Sequence, residues 1–370
     1  MFSPLLLTIV ALFLSSFTSV RASPCVAFDI NWNLLAFGLD GKDWNAGTQN
    51  TWATGTAADI TASGRPPFDG ANTTCFLSQY TNAVYVTNGD KSSPSSIHIY
   101  DATAKSWSVQ AVTTGSFDPA SFNAILDHDT NLFYMGLLKA ANATALQWVD
   151  VEQAPYPSGY QPVMALAQNH VFFLNVPGVA AGSAAIYVIH FNYFQPQAQP
   201  FPASSGSIPA THGQTASFFQ DSGVQQAFAF VPDDGSATYV LNVETNTTQI
   251  LAGPSTKDPG ATYFASTTSL VQLDSKGVVS YLPFNANDTT ANAAAKWSPV
   301  VNLANAAPPT SGTPTATGTG SSAPSGTAKT TSNSSTNSSG SNGASALVAP
   351  GGVLGGFVSA AMLACAAVLF

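Results

Sequence analysis

Residues able to do chemistry are few and scattered along this chain. Its five histidines are His98, His128, His170, His190 and His212, and none stands in an H-x-H or H-x-x-H spacing. A metal needs several donors converging in a fixed geometry, and no single element here supplies two imidazoles. The run LDHDTN sets Asp127, His128 and Asp129 side by side. These residue types ligate metals, but Asp and Asn are also what a hairpin turn requires. The carboxylates open to acid–base work are Asp29, Asp59, Asp69, Asp118, Asp127, Asp150, Glu152 and Glu244. Glycoside cleavage needs two such groups facing each other across the substrate, and their linear spacing pairs none of them. No G-x-S-x-G elbow, H-E-x-x-H helix or phosphate loop occurs. In VPDDGSATY, the Asp234-Gly235 pair reads as a hairpin turn. The sequence implies no catalytic residue, no metal site and no cofactor.

The elements that would position any site are short and alternate with turns. A turn-forming residue repeatedly introduces an apolar run: NLLAFGL at Asn33, NAVYVTNG at Asn82, NLFYMGLL at Asn131 and NHVFFLNV at Asn169. QAFAFVPD at Gln225 and SLVQLDSKG at Ser269 extend the series, at intervals of 49, 49, 38, 56 and 44 residues. Each start follows another apolar run, namely CVAFDI, TCFLSQY, FNAILD, PVMALAQ, TASFFQD and ATYFAS. Strand, tight turn, strand is a hairpin, and Asn tolerates the left-handed backbone of such turns. A third strand follows in SIHIYDATAKSW, ALQWVDVEQAPY, AIYVIHFNYFQP, TYVLNVETNTTQI and VVSYLPFNAND. After the polar ends at Asp101 and Asn242, Trp107 and Ile250 open a fourth. No helical periodicity of useful length intervenes between Pro24 and Ala307.

A four-stranded antiparallel unit with a drifting period of about 40–50 residues is a propeller blade. Arranged radially, such units cover one another's faces and leave few open edges. The expected fold is therefore all-β: a propeller of about six blades, alternatively seven, over residues 23–307. A pair of β-sandwiches is the competing architecture. The stretch IYDATAKSW resembles the kelch and galactose-oxidase type of propeller, whose blades pair a strand ending in Tyr-Asp with a turn and a Trp. AAIYVIHFNYFQP and ATYVLNVETNTTQI are weaker echoes, and the Gly-Gly pair of a kelch unit is missing from residues 23–307. That resemblance implies a propeller and transfers no catalytic residue. Copper radical chemistry in the family needs a cysteine-linked tyrosine, and the cysteines here are better used on each other.

The ends of the chain speak to location. Residues 1–22 read as a secretory signal: the apolar run 5–14 is too short to span a bilayer, and Val20 and Ala22 fit a cleavage site after Ala22. A signal anchor is the alternative. Residues 308–345 are almost wholly Ser, Thr, Gly, Pro, Ala and Asn, with too few apolar side chains to offset chain entropy. Their composition fits a disordered, O-glycosylated stalk. Residues 346–370 then run apolar to Phe370 with no Lys or Arg after Lys329. A terminal apolar tail behind small residues is the signal for a glycosylphosphatidylinositol (GPI) anchor. Asn342 is the expected attachment site, with Ser341 and Gly343 as rivals and a membrane-spanning helix as the alternative. This layout resembles GPI-anchored surface proteins of filamentous fungi.

Within that frame Cys365 leaves with the tail, so Cys25 and Cys75 form an even pair in an oxidising compartment and are expected as a disulfide. N-x-S/T sequons stand at Asn72, Asn142, Asn246, Asn287, Asn333 and Asn337, each a candidate glycan site. Charged residues make up only 8% of the chain and the net charge is −9, with no basic cluster. Nucleic acid is thereby excluded as a partner. The expected protein is a non-catalytic, monomeric surface or cell-wall glycoprotein on the outer membrane leaflet, binding a cell-wall glycan or an extracellular protein. The competing expectation is an extracellular glycan-active enzyme using carboxylates that face the propeller channel. A carboxylate cluster in the channel would favour the enzyme, and a neutral aromatic mouth the binder.

Overall fold

A computed structural model of the chain describes residues 23–113, 124, 126, 141, 143–147, 154–157, 159–203 and 206–309. The expected signal segment (1–22), stalk (308–345, apart from 308 and 309) and anchor segment (346–370), with Asn342 and the sequons Asn142, Asn333 and Asn337, lie outside the described residues. Five antiparallel sheets account for the strands, apart from one short parallel pair. Blade one is β1 (Cys25–Phe28), β2 (Leu34–Leu39), β3 (Lys42–Asn45) and β4 (Ala58–Asp59). Blade two is β5 (Thr74–Ser78), β6 (Ala83–Thr87), β7 (Ile97–Asp101) and β8 (Ser106–Gln110). The parallel pair β9 (Val112–Thr113) and β10 (Leu146–Gln147) follows. Blade three is β11 (Val163–Ala167), β12 (His170–Leu174) and β13 (Ser183–Val188), with β14 (Tyr193–Phe194) and β15 (Gln199–Pro200) both paired to β13. Blade four is β16 (Gly213–Phe218), β17 (Ala227–Pro232), β18 (Ala237–Asn242) and β19 (Thr247–Ala252). Blade five is β20 (Thr262–Ala265), β21 (Ser269–Leu273), β22 (Val279–Pro283) and β23 (Ser298–Pro299).

The architecture is the expected propeller of four-stranded antiparallel units, but the count differs. Five blades are present among the described residues, against the expected six or seven. The expected unit built on FNAILD, NLFYMGLL and ALQWVDVEQAPY falls largely outside the described residues. Around the axis β1 packs against β5 on one side and β20 on the other, and β16 packs against β20 and β11. Ala124 and Leu126 line the same central space as β5 and β11.

The local reasons for these strands match their sequences. Asn82, Asn169 and Asn246 occupy the left-handed region in the turns, as do Lys105 and Gln168. Polar side chains tie the turns: Asp101 accepts the N–H groups of Thr103 and Ala104, as Asn242 does those of Glu244 and Thr245. The stretch IYDATAKSW forms a β7–turn–β8 hairpin in which Tyr100 and Trp107 are cross-strand partners with ring centroids 5.1 Å apart. Both rings meet Phe37 of blade one at 5.2 Å. Aromatic residues thus fill the seam between two blades, where edge-to-face pairs add about 0.5–1.5 kcal/mol beyond their burial. Cys25 of β1 and Cys75 of β5 are joined in a buried disulfide across the same seam.

Two α-helices among the described residues depart from the all-strand reading, α1 (Thr289–Ala294) and α2 (Val301–Ala306). Each is six residues long, too short to leave a periodic trace. The second closes the ring. Its buried Asn302 donates from the backbone to Trp52 O at 3.0 Å and from Nδ2 to Ala46 O at 2.8 Å. Val300 and Leu303 join the same core as Trp52, Val271 and Val279. Blade five is thereby fastened to blade one by a helix rather than by a shared sheet.

Gly38 interrupts β2 at a bulge, where the pairing with β3 shifts register. Its φ is +74°, and an added Cβ would stand 2.6 Å from Cγ of the fully buried Phe68. A left-handed residue costs about 1–2 kcal/mol, and the steric overlap adds to it. Gly38→Ala should therefore lower stability by about 2 kcal/mol or more, read as a lower midpoint in chemical denaturation. An unchanged midpoint would mean that the bulge can relax.

Candidate functional site

Four of the five inner strands, β5, β11, β16 and β20, line a central channel of about 220 Å³. Side chains of adjoining inner strands stitch its wall. The Thr215 hydroxyl donates to Met164 O, and Ser217 Oγ accepts the Leu166 N–H at 3.2 Å. These contacts occupy inner-edge backbone groups that would otherwise stand unpaired, a problem every sheet edge must solve.

The lining carries no formal charge among the described residues. It consists of hydroxyl residues (Thr74, Thr87, Thr215, Ser217, Thr262), amides (Asn88, Gln214, Gln225), the aromatic rings of Phe76, Phe219, Tyr263 and Phe264, and aliphatic groups. Burial pushes the Tyr263 phenol well above its ordinary value, and its oxygen accepts a hydrogen bond from Gln272 Nε2 at 3.0 Å. It is a neutral donor and acceptor at any physiological pH. Three buried polar atoms of lining residues, Thr87 Oγ1, Asn88 Oδ1 and Gln225 Oε1, have no hydrogen-bond partner among the described residues.

Turns from three blades are tied together at the strand-end side of the channel. Gln79 Nε2 donates to Gln220 O at 3.0 Å, Ile30 N to Asn82 Oδ1 at 3.1 Å, and Trp32 Nε1 to Asp221 Oδ1 at 3.3 Å. Trp32 packs on Phe219 at 5.6 Å, and Phe219 stacks on Phe264 at 6.2 Å. Tyr80 stands 76% exposed on the same set of turns.

None of the described candidate carboxylates lines the channel. Asp29 caps the β1–β2 turn by accepting the N–H groups of Asn31 and Asn33. Asp59 pairs with Lys42 at the exposed edge of blade one. Hydrogen bonding from Thr61, aided by Lys42, holds its carboxyl far below the usual range. Asp69 accepts the Lys91 N–H, and Glu244 is exposed in the β18–β19 turn. Asp118, Asp127, Asp150, Glu152, His128 and Asp129 lie outside the described residues. The histidines are dispersed. His98 is buried in β7, where desolvation lowers its pKa. His170 bonds Gln168 O through Nδ1, and His212 pairs with Asp233 at 2.9 Å. His190 follows β13, and its side chain is outside the described set. Sequons Asn72, Asn246 and Asn287 are all exposed, although the Thr248 hydroxyl of the second is buried against Phe201 O.

The channel residues escaped sequence reasoning because Thr, Ser and Gln at alternate strand positions look like an ordinary solvated face. One signal was present: GQTASF is polar at positions that a strand flanked by two blades should fill with apolar groups.

The fold makes this a β-propeller protein. The chain matches no protein-family model and no curated protein. Among solved structures it is similar to PorZ, a bacterial surface component of the type-IX secretion system of Porphyromonas gingivalis. That likeness covers 73% of this chain and 32% of PorZ at 10% identity, with a TM-score of 0.37. This chain thus spans about a third of PorZ. A chain of the nidogen/laminin complex is similar over 70% of this chain and 74% of its own, at 10% identity and a TM-score of 0.27. Neither carries an argument about function, and the propeller assignment rests on the strand pairing.

Proposed function

We propose that the protein is a non-catalytic binding propeller displayed outside the cell, recognising a glycan or an extracellular protein. The observation that carries this reading is the channel lining, which bears no formal charge among the described residues. Propeller glycosidases require carboxylates at the axis, whereas the lining described here offers hydroxyls, amides and aromatic rings. Such groups bind by shape and hydrogen bonding and have no means of protonating a leaving group. The sequence supports display: residues 1–22 would direct secretion, residues 308–345 would form the stalk, and Asn342 would carry the GPI anchor. Exposed Asn72, Asn246 and Asn287 would bear N-glycans, which suits an extracellular module.

Two measurements test this. Expressed in a secretory host, the full chain should reach the cell surface and be released by phosphatidylinositol-specific phospholipase C. Mass spectrometry showing a mature protein that still ends at Phe370 would sink the anchor. The mature product, applied to a glycan array and incubated with the glycans it retains, should hold them without cleaving them. Released reducing ends would instead establish the glycan-active alternative.

A further inference from the structure

We propose that the rim where the β1–β2, β5–β6 and β16–β17 turns meet is a docking site for a basic side chain, arginine foremost, of an extracellular protein. This rests on the reading of the propeller as a binding module and chooses between its two partner classes. Of the five large apolar side chains exposed among the described residues, two stand here, Ile30 at 41% and Tyr80 at 76%. The Ile30 N–H is bonded to Asn82 Oδ1, so both belong to one joined set of turns. Scattered singly such groups mean little, but gathered on one rim they mark a contact surface. Between them stands Trp32, whose backbone is left-handed at φ +58°, an unfavourable conformation for a bulky residue. Asp29 holds it there. Its side chain accepts the N–H groups of Asn31 and Asn33, and its carbonyl accepts that of Trp32. Phe28 and Phe219 brace the indole at 6.4 and 5.6 Å. The ring is therefore in place before a partner arrives, which lowers the ordering cost of binding.

Charge selects the partner. The turns of the five inner hairpins, residues 29–33, 79–82, 168–169, 219–226 and 266–268, hold two carboxylates and no Lys, Arg or His. Farther out, the β7–β8 turn adds Asp101 and Lys105, which offset each other. Asp29 is buried, and both its oxygens are taken by its own turn, Oδ2 by Asn33 Nδ2. Asp221 is exposed, bonded to Trp32 Nε1 at 3.3 Å and in no ion pair among the described residues. Tyr80 adjoins it, because Gln79 Nε2 donates at 3.0 Å to the Gln220 carbonyl that precedes Asp221. An open carboxylate beside aromatic rings suits a guanidinium, which pairs with the oxygens and lies flat on a ring. An anionic partner would be repelled by Asp221 and by the chain's net charge of −9, whereas a basic surface would be drawn in. One open carboxylate is not the facing pair that glycoside cleavage needs.

The test uses the mature protein secreted from the full-length gene. Titration calorimetry would be run with an end-blocked octapeptide alternating Arg with Ser, with its counterpart carrying citrulline, the neutral isostere of arginine, and with chitotriose. Asp221→Asn keeps an oxygen for Trp32 Nε1 and removes the charge. Tyr80→Ser removes the exposed ring, and Tyr80→Phe keeps it. Asp234→Asn removes one charge from the exposed turn at the other end of β17 as a control. The arginine peptide should bind and the citrulline peptide should not. Asp221→Asn and Tyr80→Ser should each weaken binding about three- to fivefold, with unchanged melting temperatures, while Tyr80→Phe and Asp234→Asn should bind as wild type does. Added salt should weaken binding as well. Equal binding of the citrulline peptide would overturn the site. So would an equal loss in Asp234→Asn, which would reveal only diffuse attraction to the net charge. Chitotriose bound with neither peptide bound would overturn the basic partner yet leave a glycan-binding propeller. Failure of both peptides, of chitotriose and of every glycan on the array would end both readings.

Discussion

Replacing Cys25 and Cys75 together with alanine should lower stability by about 4 kcal/mol, the loop-closure value for a 50-residue separation. For a domain of this size that is a fall of roughly 10 °C in melting temperature. The bond joins β1 to β5, the inner strands of blades one and two, and both cysteines are buried. Two effects combine. Without the bond the unfolded chain regains the freedom of a long loop, and the folded seam beside Phe37 and Tyr100 loses packed sulfur. Differential scanning calorimetry at one scan rate would check it, with reduced wild type, which keeps its packed sulfurs, expected to melt between the oxidised protein and the double variant. A shift below about 2 °C would show that the aromatic seam alone holds the two blades.

Much of that seam is legible in the sequence, and the reason is local. A two-residue period, a turn residue and a cross-strand aromatic lie within a dozen positions, so IYDATAKSW declares its hairpin unaided. Asn82 and Asn169 are likewise readable as turn residues, because few side chains accept a left-handed backbone. The Cys25–Cys75 pair is expected from parity together with the reading of residues 1–22 as a secretory signal, and the structure joins the two. What escapes is non-local. Channel residues come from four inner strands and the segments beside them, widely separated in the chain, and nothing about Thr87 or Gln225 alone marks them as neighbours of one cavity. The closing helix escapes for want of length. Asn302 reaches Ala46 across 256 residues of chain, a contact that no window could see. The candidate carboxylates invite a chemical reading because the aspartates that build turns are the same residue type as those that move protons. The structure separates the two uses: Asp29, Asp101 and Asp274 each accept backbone N–H groups of their own turn.

Asp43 differs from these turn aspartates, and it carries the second large effect. It sits in β3 with no exposed surface, accepting the Gly38 N–H at 2.9 Å. Arg65 grips it with two hydrogen bonds, Nε to Oδ2 at 3.0 Å and Nη2 to Oδ1 at 2.9 Å. Such a pair is geometrically specific, and removing one member strands the other in low dielectric at a cost of about 3–5 kcal/mol. Arg65→Leu should therefore unfold far more easily than wild type. The same guanidinium lies 5.0 Å from the ring of Phe68, which stacks on Phe37 and meets Trp107. One arginine thus fixes the linker between blades one and two to the bulge that Gly38 opens. The double variant Asp43→Asn/Arg65→Leu separates charge from packing. Its side-chain amide oxygen still accepts the Gly38 N–H but leaves no buried charge, so the double variant should recover stability relative to Arg65→Leu alone. The recovery, read as a higher midpoint in chemical denaturation, should persist in high salt, because a buried charge is little screened. A double variant no more stable than the single would mean that Arg65 acts through its stacking on Phe68 and not through the carboxylate.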